Sequence, residues 1–208
     1  MGDTPSKYDE PLLPQPVPFW TVDPRFCQPQ ETVLCLKEKV FSFSGDDFDI
    51  KDARNGQVWF KCAGKYFSIR DKKTLLDCTG VPVLNIKETF AMFEQNYKIF
   101  AGGNSDSFLF ELVGHITMAK GKMHANVVNR QNNQPALITM KVNMMSKDAA
   151  IYIGEAKQGG IPIAKIHRPY TSREYFHGKQ VYYLTVAPNV DVSMCVALCI
   201  CMDEMRKD

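Results

Sequence analysis

The stretch that decides the fold is VDVSMCVALCICMDEMRKD, at residues 190–208. Asp191 and Ser193 are the only polar residues from its start to position 202. As a helix this apolar run would be about 20 Å long, whereas a membrane span needs roughly 20 apolar residues. A helix that is apolar on every side must be surrounded by protein. The stretch therefore predicts a helix buried inside the protein rather than a membrane anchor.

The rest of the chain has the periodicity of a β-protein. From about residue 32 to residue 186, short alternating runs are separated by turn signals such as Asn55-Gly56 and Gly159-Gly160. Outside this pattern, only residues 87–93 and 189–205 look helical. Three segments share the form of a hairpin around a glycine-containing turn, namely residues 49–58, 75–84 and 151–164.

Hairpins that follow one another along the chain raise the question of how their edges are protected. Stacked hairpins leave exposed edges unless the sheet closes, and a closed sheet must fill its interior. The apolar C-terminal helix is a suitable filling. We therefore predict a mostly β (α+β) fold, with a closed antiparallel barrel around a buried C-terminal helix.

Composition limits the class of protein. The chain has 208 residues with 25 Lys plus Arg and 23 Asp plus Glu, so it lacks the basic excess of a dedicated nucleic-acid binder. Its seven cysteines are an odd number, and it has neither a signal peptide nor an Asn-x-Ser/Thr site. These features predict a cytoplasmic protein with reduced thiols, and leave a peripheral membrane or nuclear location open.

The N-terminal residues form a separate segment. Six prolines within the first 24 residues exclude a helix or a central strand there. We predict a flexible Pro-rich leader at residues 1–18 and a single barrel domain at residues 19–208, with Phe19 and Trp20 docking the leader. Gly2 fits the myristoylation pattern, although Asp3 follows it, so acylation is left open.

Several blocks of residues carry a resemblance to a known family. They are residues 24–27, 49–61, 68–83, 100–104, 164–168 and 186–191, the last running into the apolar helix and closing with Asp203-Glu204. In their order and spacing they resemble the LURP-one-related family of plants over about residues 23–205. The resemblance implies the fold of tubby C-terminal domains and phospholipid scramblases, which is a twelve-stranded antiparallel barrel around a central hydrophobic helix.

For function, we predict a non-enzymatic binding or adaptor domain without a cofactor, because the chain has no recognised catalytic, metal-ligand or phosphate-binding motif. Two partner classes stay open: a phosphoinositide or other anionic membrane lipid, and a signalling protein in plant defence. The alternatives are a scramblase-like membrane protein and an enzyme acting on a small ligand. Residues 180–188 contain no acidic side chain, which disfavours a calcium-driven scramblase because calcium prefers six to eight oxygen ligands.

Basic residues are the candidates for binding an anionic group. Those singled out are Lys120, Lys122, Arg168, Arg173 and Lys179. Barrel loops can gather such residues into one positive patch, although each also fits an ordinary solvated position. The histidines lack a metal-ligand spacing, and the chain has no Gly-x-Ser-x-Gly elbow, so no metal or catalytic residue is assigned.

Four residues of the C-terminal stretch have predicted structural roles. Asp191 is expected to cap the helix N-terminus, with Asn189 as its rival, and Asp191→Ala is expected to cost about 0.5–2 kcal/mol. Cys195 and Cys199 share a helix face. Burial predicts that these two thiols and Cys201 act as small apolar side chains rather than as metal ligands or acylation sites.

Overall fold

The computed structural model describes residues 12–37, 48–64, 72–91, 94–117, 120–143, 148–167 and 181–205. Its strands are β1 (Thr32–Lys37), β2 (Phe48–Asp52), β3 (Val58–Gly64), β4 (Lys72–Asp77), β5 (Pro82–Ala91), β6 (Glu94–Ala101), β7 (Phe108–Ile116), β8 (Lys120–Asn129), β9 (Gln134–Asn143), β10 (Ala149–Ile153), β11 (Ile161–His167) and β12 (Val181–Val186). The helix α1 is Val192–Met205, and two short 3-10 helices lie at Pro24–Phe26 and Ala156–Gln158.

The twelve strands form a closed antiparallel barrel, as predicted. Each strand pairs with the next along the chain, and β12 closes the sheet by pairing with β1, where Val186 lies opposite Thr32. Residues of β8 alternate strictly between an exposed and a buried position, so one side chain in two lines the interior. Closure also gives every strand two neighbours, which removes exposed sheet edges.

The three predicted hairpins are confirmed as the pairs β2–β3, β4–β5 and β10–β11. Each pair has a shift in register close to its turn: between Ile50 and Lys51, between Leu75 and Leu76, and between Ile151 and Tyr152. Such bulges bend a strand and increase its local twist. The repeated motif therefore helps the sheet to curve into a barrel.

The helical prediction for residues 87–93 is wrong where the structure describes them. Residues 87–91 belong to β5, which pairs with β4 on one side and with β6 on the other. Glu88, for example, lies opposite Tyr97. Two neighbouring strands supply hydrogen bonds to the backbone of β5, and this tertiary context overrides the weak local preference for a helix.

The helix α1 fills the barrel, which confirms the prediction made from the C-terminal stretch. All its residues are buried, from Val192 to Met205, and it lies closest to β5, β6, β7 and β12. Within the described ranges, no helix has the length and hydropathy of a membrane span. An apolar helix and the apolar inner faces of the strands thus form one common core.

The barrel has two distinct ends. The hairpin turns β2–β3, β4–β5, β6–β7, β8–β9 and β10–β11 lie at the end where α1 begins, which we call the tip end. The helix ends at the opposite, or far, end. Asp191 lies at the tip end, and Glu204 lies near the far end.

The turn of the β10–β11 hairpin provides a first prediction. A Cβ atom at Gly160 would lie 2.8 Å from the carbonyl carbon of Glu155, and backbone atoms there cannot move aside. Gly160→Ala is therefore expected to lower the free energy of unfolding by about 1–3 kcal/mol in urea titrations. Gln158 is exposed in the same turn and has no positive φ, so the control Gln158→Ala should change it by under about 0.5 kcal/mol. Equal stability of the two variants would contradict the packing at Gly160.

Candidate functional site

A segment near the N-terminus crosses the tip end of the barrel, and we call residues 15–28 the strap. The backbone N–H of Gln15 donates to Pro188 O at 3.1 Å, and Asn189 Nδ2 donates to Gln15 O at 2.9 Å. Phe19 is buried and forms a parallel bridge with Val190. The chain is therefore held to the barrel from Gln15 onward, ahead of the predicted boundary at residue 18.

The strap is also held by the β8–β9 turn. The side chain of Asn129 accepts from the Trp20 N–H at 3.3 Å and donates to Pro18 O at 3.2 Å. The backbone N–H of Arg130 donates to Trp20 O at 2.9 Å. The predicted docking residues Phe19 and Trp20 thus both contact the barrel, whereas residues 1–11 of the expected leader lie outside the described residues.

Asp191 caps the central helix, in the position that the sequence indicates. Its Oδ1 accepts from the Met194 N–H at 3.2 Å and from Ser193 Oγ at 2.5 Å. The rival residue Asn189 has a φ of 63° and uses its side-chain amide to hold the strap instead. A carboxylate at this helix end also interacts favourably with the helix dipole.

The second carboxylate oxygen of Asp191 holds the strap. Asp191 Oδ2 accepts from the backbone N–H groups of Thr21, Val22 and Asp23 at 3.2, 2.8 and 3.3 Å. The side chain is fully buried. Burial raises the pKa of Asp191, and the hydrogen bonds from Ser193 and from the backbone counteract part of this shift. One side chain thus connects the central helix to the strap.

The three cysteines of α1 lie in the core. Cys195, Cys199 and Cys201 are fully buried, and burial raises the pKa of each thiol. In the part of the chain that the structure describes, no group of three or more His, Cys, Asp or Glu side chains is placed to hold a metal ion. The thiols pack as small apolar groups among the surrounding strands.

Thiol labelling measures this burial directly. In the native protein we expect a maleimide reagent to modify the exposed Cys78 quickly and to miss Cys195, Cys199 and Cys201. Cys27 is half-buried with its pKa raised to about 12, so it should react slowly. Mass spectrometry of digested protein gives the modification at each site. Modification of the helix thiols at the rate of Cys78 would show that α1 is not enclosed.

Strand pairing gathers basic side chains on one outer wall of the barrel. Lys120 and Lys122 point outward from β8 and are exposed. In the register, His115 of β7 lies opposite Lys122, and Lys122 lies opposite Lys141 of β9. Lys165 of β11 lies on the same face two strands further on. We call this surface the basic wall; its residues are Lys120, Lys122, Lys141, Lys165, His115, His124 and His167.

Two carboxylates of the described residues lie beside the basic wall. Lys122 Nζ lies 2.8 Å from Glu155 Oε1, and the pKa of Glu155 is lowered, mainly by this hydrogen bond. His167 Nδ1 lies 3.2 Å from Asp148 Oδ1. Among the described residues the wall has four lysines and these two acids, and adjacent strands are about 4.8 Å apart, so its charged groups lie close together.

The structure brings together only part of the predicted anion site. Lys120 and Lys122 lie on the basic wall, whereas Arg168, Arg173 and Lys179 lie outside the described residues. Lys141 and Lys165 were not among the predicted candidates. The alternation in β9 and β11 could have marked both as outward-facing, but their proximity to Lys122 follows from the strand register.

A cluster of polar side chains lies inside the barrel near its far end. Lys73 points inward from β4, and its Nζ lies 2.5 Å from Oε1 of the buried Glu204 of α1. Nearby, the Tyr97 hydroxyl donates to Glu88 Oε1 at 3.4 Å. The sequence analysis missed this group, because the partners come from four different elements. The Lys73–Glu204 pair connects the last turn of the helix to the barrel wall.

Comparisons with known proteins agree with this fold. The family profile described as LURP-one-related matches residues 32–203. Protein LURP-one-related 15 of Arabidopsis thaliana is 28% identical over 190 residues, covering 90% of this chain and 86% of the relative. Protein LURP1 of the same plant is 26% identical, covering 91% of each chain. An uncharacterized protein, YxjI of Bacillus subtilis, is 25% identical, with 82% and 91% covered.

A solved structure extends the comparison to three dimensions. A crystal structure of an Arabidopsis thaliana protein superposes with a TM-score of 0.64, covers 89% of this chain and 98% of its own, and is 23% identical. At this identity the likeness concerns the fold alone. The family profile spans most of the chain, and the relatives match over nearly their whole length. The chain belongs to the LURP-one-related family.

Proposed function

We propose that this barrel is a non-enzymatic binding domain that holds anionic lipid head groups on its basic wall. The observation that carries the proposal is the register of β7 to β11, which aligns Lys122 with Lys141 and places Lys120 and Lys165 beside them. Each lysine close to an anionic membrane surface contributes about 1 kcal/mol to binding.

The balance of charge supports a weak and reversible contact. The whole chain has a formal net charge of only +2, so long-range attraction to any polyanion is small. The positive excess is instead local, and Glu155 and Asp148 reduce it at two points. Such a surface favours a membrane that is rich in anionic head groups over a neutral one.

Vesicle sedimentation tests the proposal. We expect the full chain to sediment with vesicles containing phosphoinositide, to stay in solution with neutral phosphatidylcholine vesicles, and to lose binding as salt is raised. The double variant Lys120→Gln, Lys122→Gln removes two exposed positive charges. At about 1 kcal/mol for each lysine, its affinity should fall by a factor of about thirty.

The control has the same number of charges removed elsewhere. Lys51 and Lys61 lie on β2 and β3, across the barrel from β8, so Lys51→Gln with Lys61→Gln should leave vesicle binding nearly unchanged. Equal losses in the two double variants would mean that only net charge matters. Absence of binding to every anionic vesicle would overturn the lipid proposal.

A further inference from the structure

The first described residues of the chain form a short proline-rich segment. Residues 12–18 read Leu-Leu-Pro-Gln-Pro-Val-Pro, so each residue from Leu13 to Pro18 is a proline or directly precedes one. Proline fixes its own φ near −65°, and it restricts the residue before it to extended conformations. We call residues 12–18 the proline segment; residues 15–18 also belong to the strap. Its covalent geometry alone favours an extended chain.

Contact between the proline segment and the barrel repeats every three residues. Leu12 packs against the core, Gln15 is buried, and Pro18 is partly buried. The residues between them are exposed, namely Leu13 (63%), Pro14, Pro16 and Val17 (45%). Three residues per turn is the period of a polyproline II helix, and here it continues through a bend at residues 16 and 17. One side of the segment thus rests on the barrel, and its two other sides face outward.

Hydrogen bonds hold the inward side of the segment. The backbone of Gln15 donates to Pro188 O at 3.1 Å and accepts from Asn189 Nδ2 at 2.9 Å. Asn129 Nδ2 donates to Pro18 O at 3.2 Å. Because these bonds already order the backbone, a partner that covers the outward sides loses less conformational entropy than one that binds a free proline-rich peptide.

The outward sides of the segment are uncharged and apolar. They carry two pairs of neighbouring side chains, Leu13-Pro14 and Pro16-Val17, and residues 12–18 contain no charged group. An anionic membrane attracts basic residues, which this segment lacks. An aromatic-lined groove of a protein instead binds proline rings and aliphatic side chains of an extended chain.

We propose that the proline segment is the docking site for a partner domain that recognises proline through an aromatic-lined groove. Leu13-Pro14 and Pro16-Val17 fill two neighbouring pockets of the groove, about 9 Å apart for one turn of a polyproline II helix. Gln15 lies between the two pairs and keeps its bonds to the barrel. The barrel therefore presents the segment in a form that is ready to bind.

This docking site is separate from the basic wall. The proline segment is bonded to Asn129 at the tip end of β8, whereas Lys120 begins the same strand near the far end. A strand of this length spans about 30 Å. A lipid bound near Lys120 and a protein bound to the segment can thus be present together, and each is tested without the other.

Purified proline-recognition domains of three classes, SH3, WW and EVH1, provide the probe. Biolayer interferometry measures the dissociation constant of each domain for the full chain and for a free peptide of residues 9–20. At least one class should bind the full chain, and it should bind the peptide more weakly because the free peptide must first be ordered.

Two double variants remove the proposed contacts. Leu13→Ala with Val17→Ala truncates exposed side chains and leaves the prolines in place, so the fold should be unchanged. Pro14→Ala with Pro16→Ala removes the two exposed rings. Each double variant should weaken the binding of the domain at least about tenfold.

The matched control removes two exposed prolines elsewhere on the barrel. Pro82→Ala with Pro135→Ala should leave the dissociation constant unchanged. Urea unfolding of every variant shows that the fold is retained.

Other results would overturn the proposal. Binding of the peptide without binding of the full chain would show that the barrel hides the segment. Failure of all three classes to bind the full chain, or equal losses in the control and the segment variants, would exclude the segment as a docking site. Loss of vesicle binding in Leu13→Ala with Val17→Ala would assign the segment to a membrane. Concentration-dependent dimerisation that the same variant abolishes would assign it to a second copy of the chain.

Discussion

Replacing Asp191 by Ala is expected to lower the free energy of unfolding by about 3–5 kcal/mol, which exceeds the loss of an ordinary helix cap. Ala removes the acceptor for Met194 at the helix start and for Thr21, Val22 and Asp23 on the strap. Each buried donor left without a partner costs about 1–3 kcal/mol, although some can relax toward water. Urea unfolding followed by circular dichroism measures the difference.

One further variant separates the roles of the two oxygens. Asp191→Asn can keep one oxygen for Met194 but presents an amide N–H₂ to the strap, so we expect an intermediate loss of stability. Hydrogen exchange should then accelerate at Val22 more than at Met194. Asp106 is exposed, and Asp106→Ala is the matched control, expected within about 0.5 kcal/mol of the wild type. A loss of only about 1 kcal/mol in Asp191→Ala would show that the strap does not depend on it.

Removing residues 190–208 is expected to abolish the cooperative unfolding transition. The inner faces of the strands would then line an empty space, since side chains such as Phe60, Phe110 and Tyr182 contact one common core with the helix. Apolar surface left without a partner loses both its burial and its packing contacts. The measurement is urea and thermal unfolding of the truncated and the full chain, monitored in the near and far ultraviolet.

A point substitution in α1 tests the packing of the helix while the rest of the chain stays intact. Leu198 is fully buried, so Leu198→Ala should cost about 2–5 kcal/mol while unfolding stays cooperative. Val81 is exposed at a hairpin turn, and Val81→Ala should have almost no effect. A truncated chain that still unfolds cooperatively, or a Leu198→Ala variant as stable as Val81→Ala, would refute the role of the helix as the core of the barrel.

Much of the fold follows from local patterns. The length and apolar character of residues 190–202 predict a buried helix because neither depends on distant residues. Alternation with period 2 and glycine-containing turns predict antiparallel hairpins for the same reason. The prediction of a helix at residues 87–93 is wrong because it also used local preference alone. That preference is weak there, and the two adjacent strands decide the conformation of β5.

The candidate site was predicted only in part. Lys120 and Lys122 are two residues apart in one strand, so alternation places both outward. Lys141 and Lys165 join them only because β8, β9, β10 and β11 are neighbours in a fixed register. The register of these strands depends on all the hairpins together, so it cannot be predicted from the residues around any single lysine.

Asp191 has one role that the local sequence predicts and another that only the tertiary structure reveals. Its position just before an apolar helix determined the cap, because a helix start needs an acceptor for its free N–H groups. Its second oxygen accepts from Thr21, Val22 and Asp23, about 170 residues away along the chain. The sequence by itself thus determined the helix, its cap and the hairpins. Only the closed barrel decided which distant groups Asp191 holds and which lysines share a wall, because both depend on long-range contacts.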